Sequence, residues 1–401
     1  MNDNGSPPAP KRVLLVQRSS ALDGSAYSGL LGANGLQEAG WDVHVAFGYE
    51  GPIIDRYATA GHTTHVVPHD NWLRRSRTHQ FLKDSWLEWR RARSFTTLIE
   101  DIAPDLIYVN TVVSLAGAIA ARRADIPCVW HLRELFADVG GEMCAPRWAR
   151  PFIRGVIRTH ADRLVANSEA TARNMLGDDL REVAVFPNAV RAAFFDEGRT
   201  CQEARADIGL EANGPVIGVP GTLRPMKGHP FFFEAVAPLL REQDALRVAV
   251  TGEGTSGFTD RLKEKIRSLG IQGQVIFLGW VDDMPAFYRA CDVACIPSRA
   301  EPFGRTAIEG FAAGTPVVAT AVGGLQGIVV DEETGLLVPY GNEDALQKAL
   351  RRVLETPKLR QKMKRNAREV AEKNYHERVY KDRIQALVED VRPHGYSLSR
   401  T

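Results

Sequence analysis

The chain has 401 residues, 44% of them hydrophobic, and its 50 basic and 49 acidic side chains leave a net charge of +1. That length exceeds what one core usually serves, so two globular domains are expected, and so even a balance of charge excludes a protein held to nucleic acid by bulk attraction. The five cysteines, Cys128, Cys144, Cys201, Cys291 and Cys295, are scattered and lack Cys-x-x-Cys spacing, which fits a reducing compartment and argues against a disulfide framework or structural zinc.

The opening MNDNGSPPAPKR has no apolar centre of a signal peptide, and no later stretch reaches the roughly 20 apolar residues needed to cross a bilayer. A disordered tail over residues 1–10 and a cytoplasmic location are expected. Short runs rich in Val, Ile and Leu then alternate with amphipathic segments, the pattern of strand-helix units in a parallel sheet, so the fold class is α/β. Strands are predicted at VLLVQ (13–17), WDVHVAF (41–47), THVVP (64–68), DLIYVN (105–110), CVWHL (128–132), DRLVAN (162–167) and EVAVF (182–186).

Between the third and fourth of these lies WLRRSRTHQFLKDSWLEWRRARSF (72–95), with seven Arg or Lys, two acidic residues and three tryptophans. Leu82, Trp86 and Trp89 share one helical face, and RWARPFIRGVIR (147–158) repeats the theme. Two readings stand: an aromatic, basic surface for anionic lipid headgroups or a lipid-linked acceptor, or a helix that packs its tryptophans inward and solvates its arginines.

At PNAVRAAFFDEGRT (187–200) the pattern breaks, Pro187 and Asn188 stopping a strand, and an interdomain linker is expected there. The alternation restarts with PVIGVPG (215–221), LRVAVTG (246–252), QVIFLG (274–279), VACIP (293–297) and PVVAT (316–320), then GLLVP (335–339), before a charged helical region from Asn342. Two separate Rossmann-like sheets are thus predicted.

The stretch VTGEGTSG (250–257) fits Gly-x-Gly-x-x-Gly, a pattern that brings backbone close to a pyrophosphate at a helix N-terminus. It follows the second strand of its domain, however, whereas a dinucleotide fingerprint follows the first. The first strand ends instead in PGTLRPMKGHP (220–230), where Arg224 and Lys227 stand three apart at the edge where α/β sheets bind ligands. Such a pair suits a diphosphate, Arg forking onto two oxygens and Lys acting as a mobile charge; it also suits a plain solvated turn.

The sharper pattern is SRAEPFGRTAIEGFAAGTPVVAT (298–320). Glu301 precedes a helix predicted from Arg305 to Ala313, and Glu309 lies roughly 6 to 8 Å along that helix. An anion near the amides of Gly304, Arg305 and Thr306 gains from the helix dipole. The apolar neighbours Ala307, Ile308, Phe311 and Ala312 imply a partly buried helix, in which Glu309 needs a partner.

In this order, GTLRPMKG, the Gly-x-Gly after the next strand, FLGWV, DVACIPS, the Glu-x7-Glu of EPFGRTAIE, GTPVVAT and GLLVP resemble the retaining glycosyltransferases of family 4, with FPNAV (186–190) similar to the segment before their linker. The resemblance covers nearly the whole second half and, more loosely, the first. It implies a GT-B fold, two Rossmann-like domains facing a cleft: an acceptor domain over 11–190, a nucleotide-sugar donor domain over 191–375, and a C-terminal helix within 376–401 crossing back to the first domain.

By the same resemblance, Arg224 and Lys227 contact the donor diphosphate, Glu309 the ribose hydroxyls and Glu301 hydroxyls of the transferred sugar. Backbone amides of Phe303, Gly304, Arg305 and Thr306 hold sugar and phosphate, and Trp280 and Val281 face the base. His131 is placed near the reacting centre, with Arg224, Lys227 and Glu301. The family's Gly-rich loop is represented by ALDGSAYSG (21–29), which keeps Gly24 but has Ser25 in place of a second glycine. HLRELFADVGGEM offers no match, so Arg133 and Glu134 receive no role.

The family needs no metal or other cofactor, in line with the lack of Asp-x-Asp here. The function implied is retaining transfer from a UDP- or GDP-sugar to an acceptor hydroxyl in glycan, glycolipid or polysaccharide synthesis. Another GT-B enzyme (sugar phosphorylase or nucleotide-sugar epimerase), a non-catalytic subunit and, last, an oxidoreductase remain as alternatives.

Overall fold

A computed structural model of the chain describes residues 10–74, 77–136, 143–196, 198–389 and 391. Of the expected tail only Pro10 is among them. The seven apolar runs of the first half form β1 (Arg12–Gln17), β2 (Asp42–Phe47), β3 (Thr63–Val66), β4 (Leu106–Val109), β5 (Cys128–Leu132), β6 (Arg163–Ala166) and β7 (Val183–Val185). They pair in parallel in the order β3-β2-β1-β4-β5-β6-β7.

The second half repeats the plan with β8 (Val216–Val219), β9 (Arg247–Thr251), β10 (Val275–Gly279), β11 (Val293–Ile296), β12 (Val317–Thr320) and β13 (Gly335–Val338). Their order is β10-β9-β8-β11-β12-β13, again parallel. Both units are Rossmann-like, in agreement with the α/β expectation. The runs read as continuous apolar stretches because helices cover both faces: every residue of β4, β5, β8, β11 and β12 is buried. The strands stop short of the predicted Pro68, Pro215, Pro297, Pro316 and Pro339, since proline has no N–H to give the ladder.

In each sheet the order reverses beside the first strand, between β1 and β4 and between β8 and β11. Crevices at the carboxyl ends of strands beside such a reversal are where open α/β sheets bind ligands.

The linker contains one short turn, Ala192–Phe195, that buries Phe194, before helix Cys201–Asp207, which is capped reciprocally by Thr200 and Glu203. Helix Glu377–Glu389 packs on helix Gly24–Glu38 of the first domain, burying Tyr380, Ile384, Leu387 and Val388. Gly35 makes this approach feasible, because a Cβ there would lie 2.8 Å from Ile384 Cγ2 and 3.1 Å from Lys381 Cα. The outgoing and returning chains run side by side, with the Val190 amide donating to the Tyr375 carbonyl at 2.7 Å and the Glu377 amide to the Val190 carbonyl at 3.0 Å.

The inward-packing alternative for the aromatic segment 72–95 holds only in part. Trp72 and Phe81 are buried, Trp72 Nε1 donating to the Val112 carbonyl at 3.0 Å, but Leu82, Trp86 and Trp89 are exposed. Among the described residues no helix is long and apolar enough to cross a membrane.

Candidate active site

Loops from the carboxyl ends of both sheets enclose a cavity of about 740 Å³. Gly24, Arg224, Lys227, Val281, Glu301, Phe303, Gly304, Arg305, Thr306 and Glu309 all line it, together with Trp280.

The second-domain wall is built around two ion pairs. Lys227 Nζ lies 2.7 Å from Glu301 Oε2, to which the Ser298 hydroxyl also donates at 3.3 Å. Arg305 Nε donates to Glu309 Oε1 at 2.9 Å, while the Tyr288 hydroxyl lies 3.1 Å from Oε2 and 3.0 Å from the Thr306 carbonyl. Burial, reinforced by the Glu309 charge, holds the Tyr288 phenol well above its ordinary range, so it stays a donor. Both carboxylates are buried, and each has the partner that burial demands. Arg224, one turn before Lys227, is exposed at the cavity wall.

Helix Arg305–Ala312 starts at Gly304 with φ +112, and no side chain caps it. Its first amides are therefore left for another acceptor. The position demands glycine twice over, for the left-handed φ and because a Cβ would meet Leu325 Cδ2 at 2.7 Å. The Thr306 hydroxyl beside these amides is buried with no hydrogen-bond partner.

Helix Gly24–Glu38 differs: Asp23 Oδ1 already accepts from the Ser25 and Ala26 amides at 2.9 Å each. Gly24 reaches across the cleft instead, its carbonyl accepting from Arg305 Nη1 at 3.1 Å. A phosphate at those two amides would have to displace Asp23.

The glycines of VTGEGTSG shape the cation loop. A Cβ at Gly252 would lie 2.4 Å from the Gly221 carbonyl and one at Gly254 2.4 Å from the Leu223 carbonyl. The Leu223 amide donates to the Glu253 carbonyl at 2.9 Å. Their absent side chains thus let the loop of Arg224 and Lys227 lie against the end of β9.

His131 lies deeper than the other residues expected at the site. It is fully buried and is not part of the cavity wall. Its Nδ1 lies 2.7 Å from the Tyr108 hydroxyl and 3.1 Å from Arg133 Nη2, and its Nε2 is buried without a partner. Side chains alternate along a strand, so Arg133, two residues on, continues the side of His131 and reaches the cavity. Burial, and then the Arg133 charge, pushes the His131 ring well below its ordinary pKa. The neutral ring packs against Arg133, which lines the cavity.

Arg133 is the residue that sequence reasoning passed over. It is buried, and among the described residues its guanidinium reaches only neutral groups: the Asn110 carbonyl and Oδ1 at 3.0 Å each, Asn188 Oδ1, Tyr380 OH at 2.9 Å and His131. A buried cation with no carboxylate on it favours an anion in the adjoining cavity. The only signal in the sequence was an arginine just past a strand's carboxyl end.

Arg56 and Arg191 were missed as well. With Arg305 they surround Tyr27, their guanidinium carbons 5.3, 5.9 and 5.6 Å from the ring centre, and all four residues line the cavity. Arg191 Nε is buried without a partner. The side of the cavity opposite the second-domain wall thus carries Arg56 and Arg133 beside Asp23 and Glu134, with Arg191 added from the linker. Among the described residues no group of three or more His, Cys, Asp or Glu is arranged to hold a metal ion.

Residues 201–370 match the family of glycosyl transferases group 1, and residues 31–189 match the glycosyl transferase 4-like domain. The structure resembles Anabaena HepE solved with UDP and glucose, with a TM-score of 0.79 at 22% identity over 94% of this chain and 99% of that one. The chain has the GT-B fold. WaaG, a glycosyltransferase involved in lipopolysaccharide biosynthesis, shares this GT-B fold at a TM-score of 0.68 and 15% identity, covering 94% of this chain and all of that one. Among curated relatives, the D-inositol 3-phosphate glycosyltransferases of Kineococcus radiotolerans and Salinispora tropica are 38% and 32% identical over 65% and 74% of this chain. The matched stretches span 65% and 66% of those relatives' own length.

Three buried imidazoles tie the GT-B core to pH. Burial pushes His69 and His229 down from 6.5 to about 4, with nearby cations adding, and holds the His131 ring well below its ordinary value too. Between those values the unfolded chain takes up protons that the folded chain refuses. Stability is therefore full above pH 6.5 and declines as pH falls toward 4, by about 2 kcal/mol for each of His69 and His229 at pH 5. Thermal melts at pH 7.5 and pH 5 should show a marked drop at the lower pH; equal melting temperatures would mean the rings are solvated.

Proposed function

We propose that this chain is a retaining, metal-independent glycosyltransferase that moves a sugar from a nucleotide-sugar donor to an acceptor hydroxyl. The observation that carries this reading is the convergence of Lys227–Glu301, Arg305–Glu309, Arg224 and the uncapped helix on one cavity. Glu309 receives the ribose diol, Glu301 the hydroxyls of the sugar, and Trp280 and Val281 the base. Arg224, Lys227 and the amides at Gly304 and Arg305 take the diphosphate, which supplies the charge stabilisation that a bound metal provides elsewhere. The family likeness of each half supports the same assignment.

In the transfer the bond between the anomeric carbon and the diphosphate oxygen breaks, its electron pair leaving with the diphosphate. The acceptor oxygen bonds to that carbon on the same face, and its proton passes to the departing phosphate oxygen. Lys227 and Arg224 hold the charge that builds on the leaving group, and the two domain walls exclude water.

Arg56 of the first domain and Arg191 of the linker, both on the cavity, support an acceptor that carries a phosphate, which they would meet. That the curated relatives are named for D-inositol 3-phosphate points the same way. Glycan, glycolipid or polysaccharide synthesis on the cytoplasmic side is the setting we favour.

Calorimetric titration with UDP-, GDP- and ADP-sugars, with and without EDTA, tests the donor half. One nucleotide sugar should bind equally well in both buffers. Binding of NAD alone, or a strict need for metal, would overturn the reading.

A further inference from the structure

The cleft leaves unexplained a second surface on the first domain. On helix Thr78–Arg91 the positions Leu82, Trp86 and Trp89 fall on one face and are 54%, 52% and 47% exposed, whereas Phe81 and Glu88 point into the core. Next to it, Trp148 and Phe152 are 57% and 59% exposed. The two segments meet: the Trp148 ring packs edge-on against Phe81 with centres 6.1 Å apart, and its Nε1 lies 3.2 Å from Thr78 Oγ1. Five of the eleven exposed large apolar side chains among the described residues thus gather here. Clusters of that kind mark an interaction surface, since scattered exposed rings are ordinary and contiguous ones are not.

Charge selects the partner. Guanidinium groups flank the exposed rings, Arg90 at 4.9 Å from the Trp86 centre, and Arg93 and Arg123 at 5.6 and 4.8 Å from Trp89. Lys83 on the same helix and Arg77 just before it are exposed, while the helix's acidic residues are withdrawn, Glu88 buried against Arg91 at 2.8 Å and Asp84 half-buried. A second copy meeting this face with its own would set cation against cation. A bilayer bearing anionic lipid matches both features, with tryptophans at the headgroup level and arginines on lipid phosphates.

We infer that this face docks on the surface of an anionic membrane. The docking stands apart from the transferase reading, and only its use, the delivery of a lipid-linked acceptor, rests on that reading. The placement suits such a use: Glu134 lines the cavity, and two residues on, Phe136 lies 5.0 Å beneath the guanidinium of Arg150, the first residue of helix Arg150–His160 that carries Phe152.

Co-sedimentation of the full chain with vesicles of phosphatidylcholine alone and of phosphatidylcholine with phosphatidylglycerol tests this. Binding to the mixed vesicles is expected, weakened by salt and cut roughly tenfold or more by Trp86→Ser with Trp89→Ser. Arg90→Glu with Arg93→Glu should abolish it, and Val330→Ser, an exposed apolar residue of the other domain, should leave it intact. Circular dichroism melts confirm that each variant folds. Equal affinity for both vesicles, no binding to either, or a concentration-dependent dimer lost in the tryptophan variant would overturn the proposal. Donor titration of the same samples reads the transferase assignment separately.

Discussion

Glu309→Ala is expected to weaken binding of the nucleotide sugar severely while leaving the chain folded. Glu309 is buried on the second turn of its helix, with Arg305 on one oxygen and Tyr288 beside the other. That geometry fixes the carboxylate rotamer in advance and leaves its remaining lone pairs for a vicinal diol. Hydrogen bonds to a charged group contribute about 1.5 to 3 kcal/mol each, so losing two weakens the donor by roughly a hundredfold or more. Calorimetry on wild type, Glu309→Ala and Glu309→Gln separates charge from shape. Wild-type affinity in the alanine variant would remove Glu309 from the donor site.

Lys227→Met should lower kcat by about 10² to 10³, the usual effect of removing one stabiliser of developing negative charge, with a smaller change in donor KM. Lys227 is held 2.7 Å from Glu301, which orients it toward the cavity before any ligand arrives. Its loss leaves the buried Glu301 carboxylate, among the described residues, with only the Ser298 hydroxyl. The variant should therefore also melt at a lower temperature, because an unpaired buried carboxylate is costly. Lys227→Arg should recover part of the rate. An unchanged kcat would place the leaving-group charge elsewhere.

Much of this was legible in the sequence because it rests on local pattern. The apolar runs became strands, since parallel strands are buried on both faces, and Glu301, Gly304 and Glu309 fell on one loop and one helix, so their spacing fixed their placement. What was hidden depends on tertiary neighbours. Whether His131 or Arg133 reaches the cavity is set by strand twist and by Tyr380 arriving from far along the chain. The role of Gly252 and Gly254 is visible only once the Gly221–Leu223 backbone lies against them. Helical spacing put Trp86 and Trp89 on one face, but not which side of that face met the core.

The most direct test is release of nucleoside diphosphate from a panel of nucleotide sugars in the presence of EDTA, by wild type beside Lys227→Met. Slow release by wild type alone, from one nucleotide sugar and accelerated by a phosphorylated polyol acceptor, is the expected result. No release with any donor, or release that appears only when a divalent metal is restored, would contradict a cation-stabilised, metal-independent transfer.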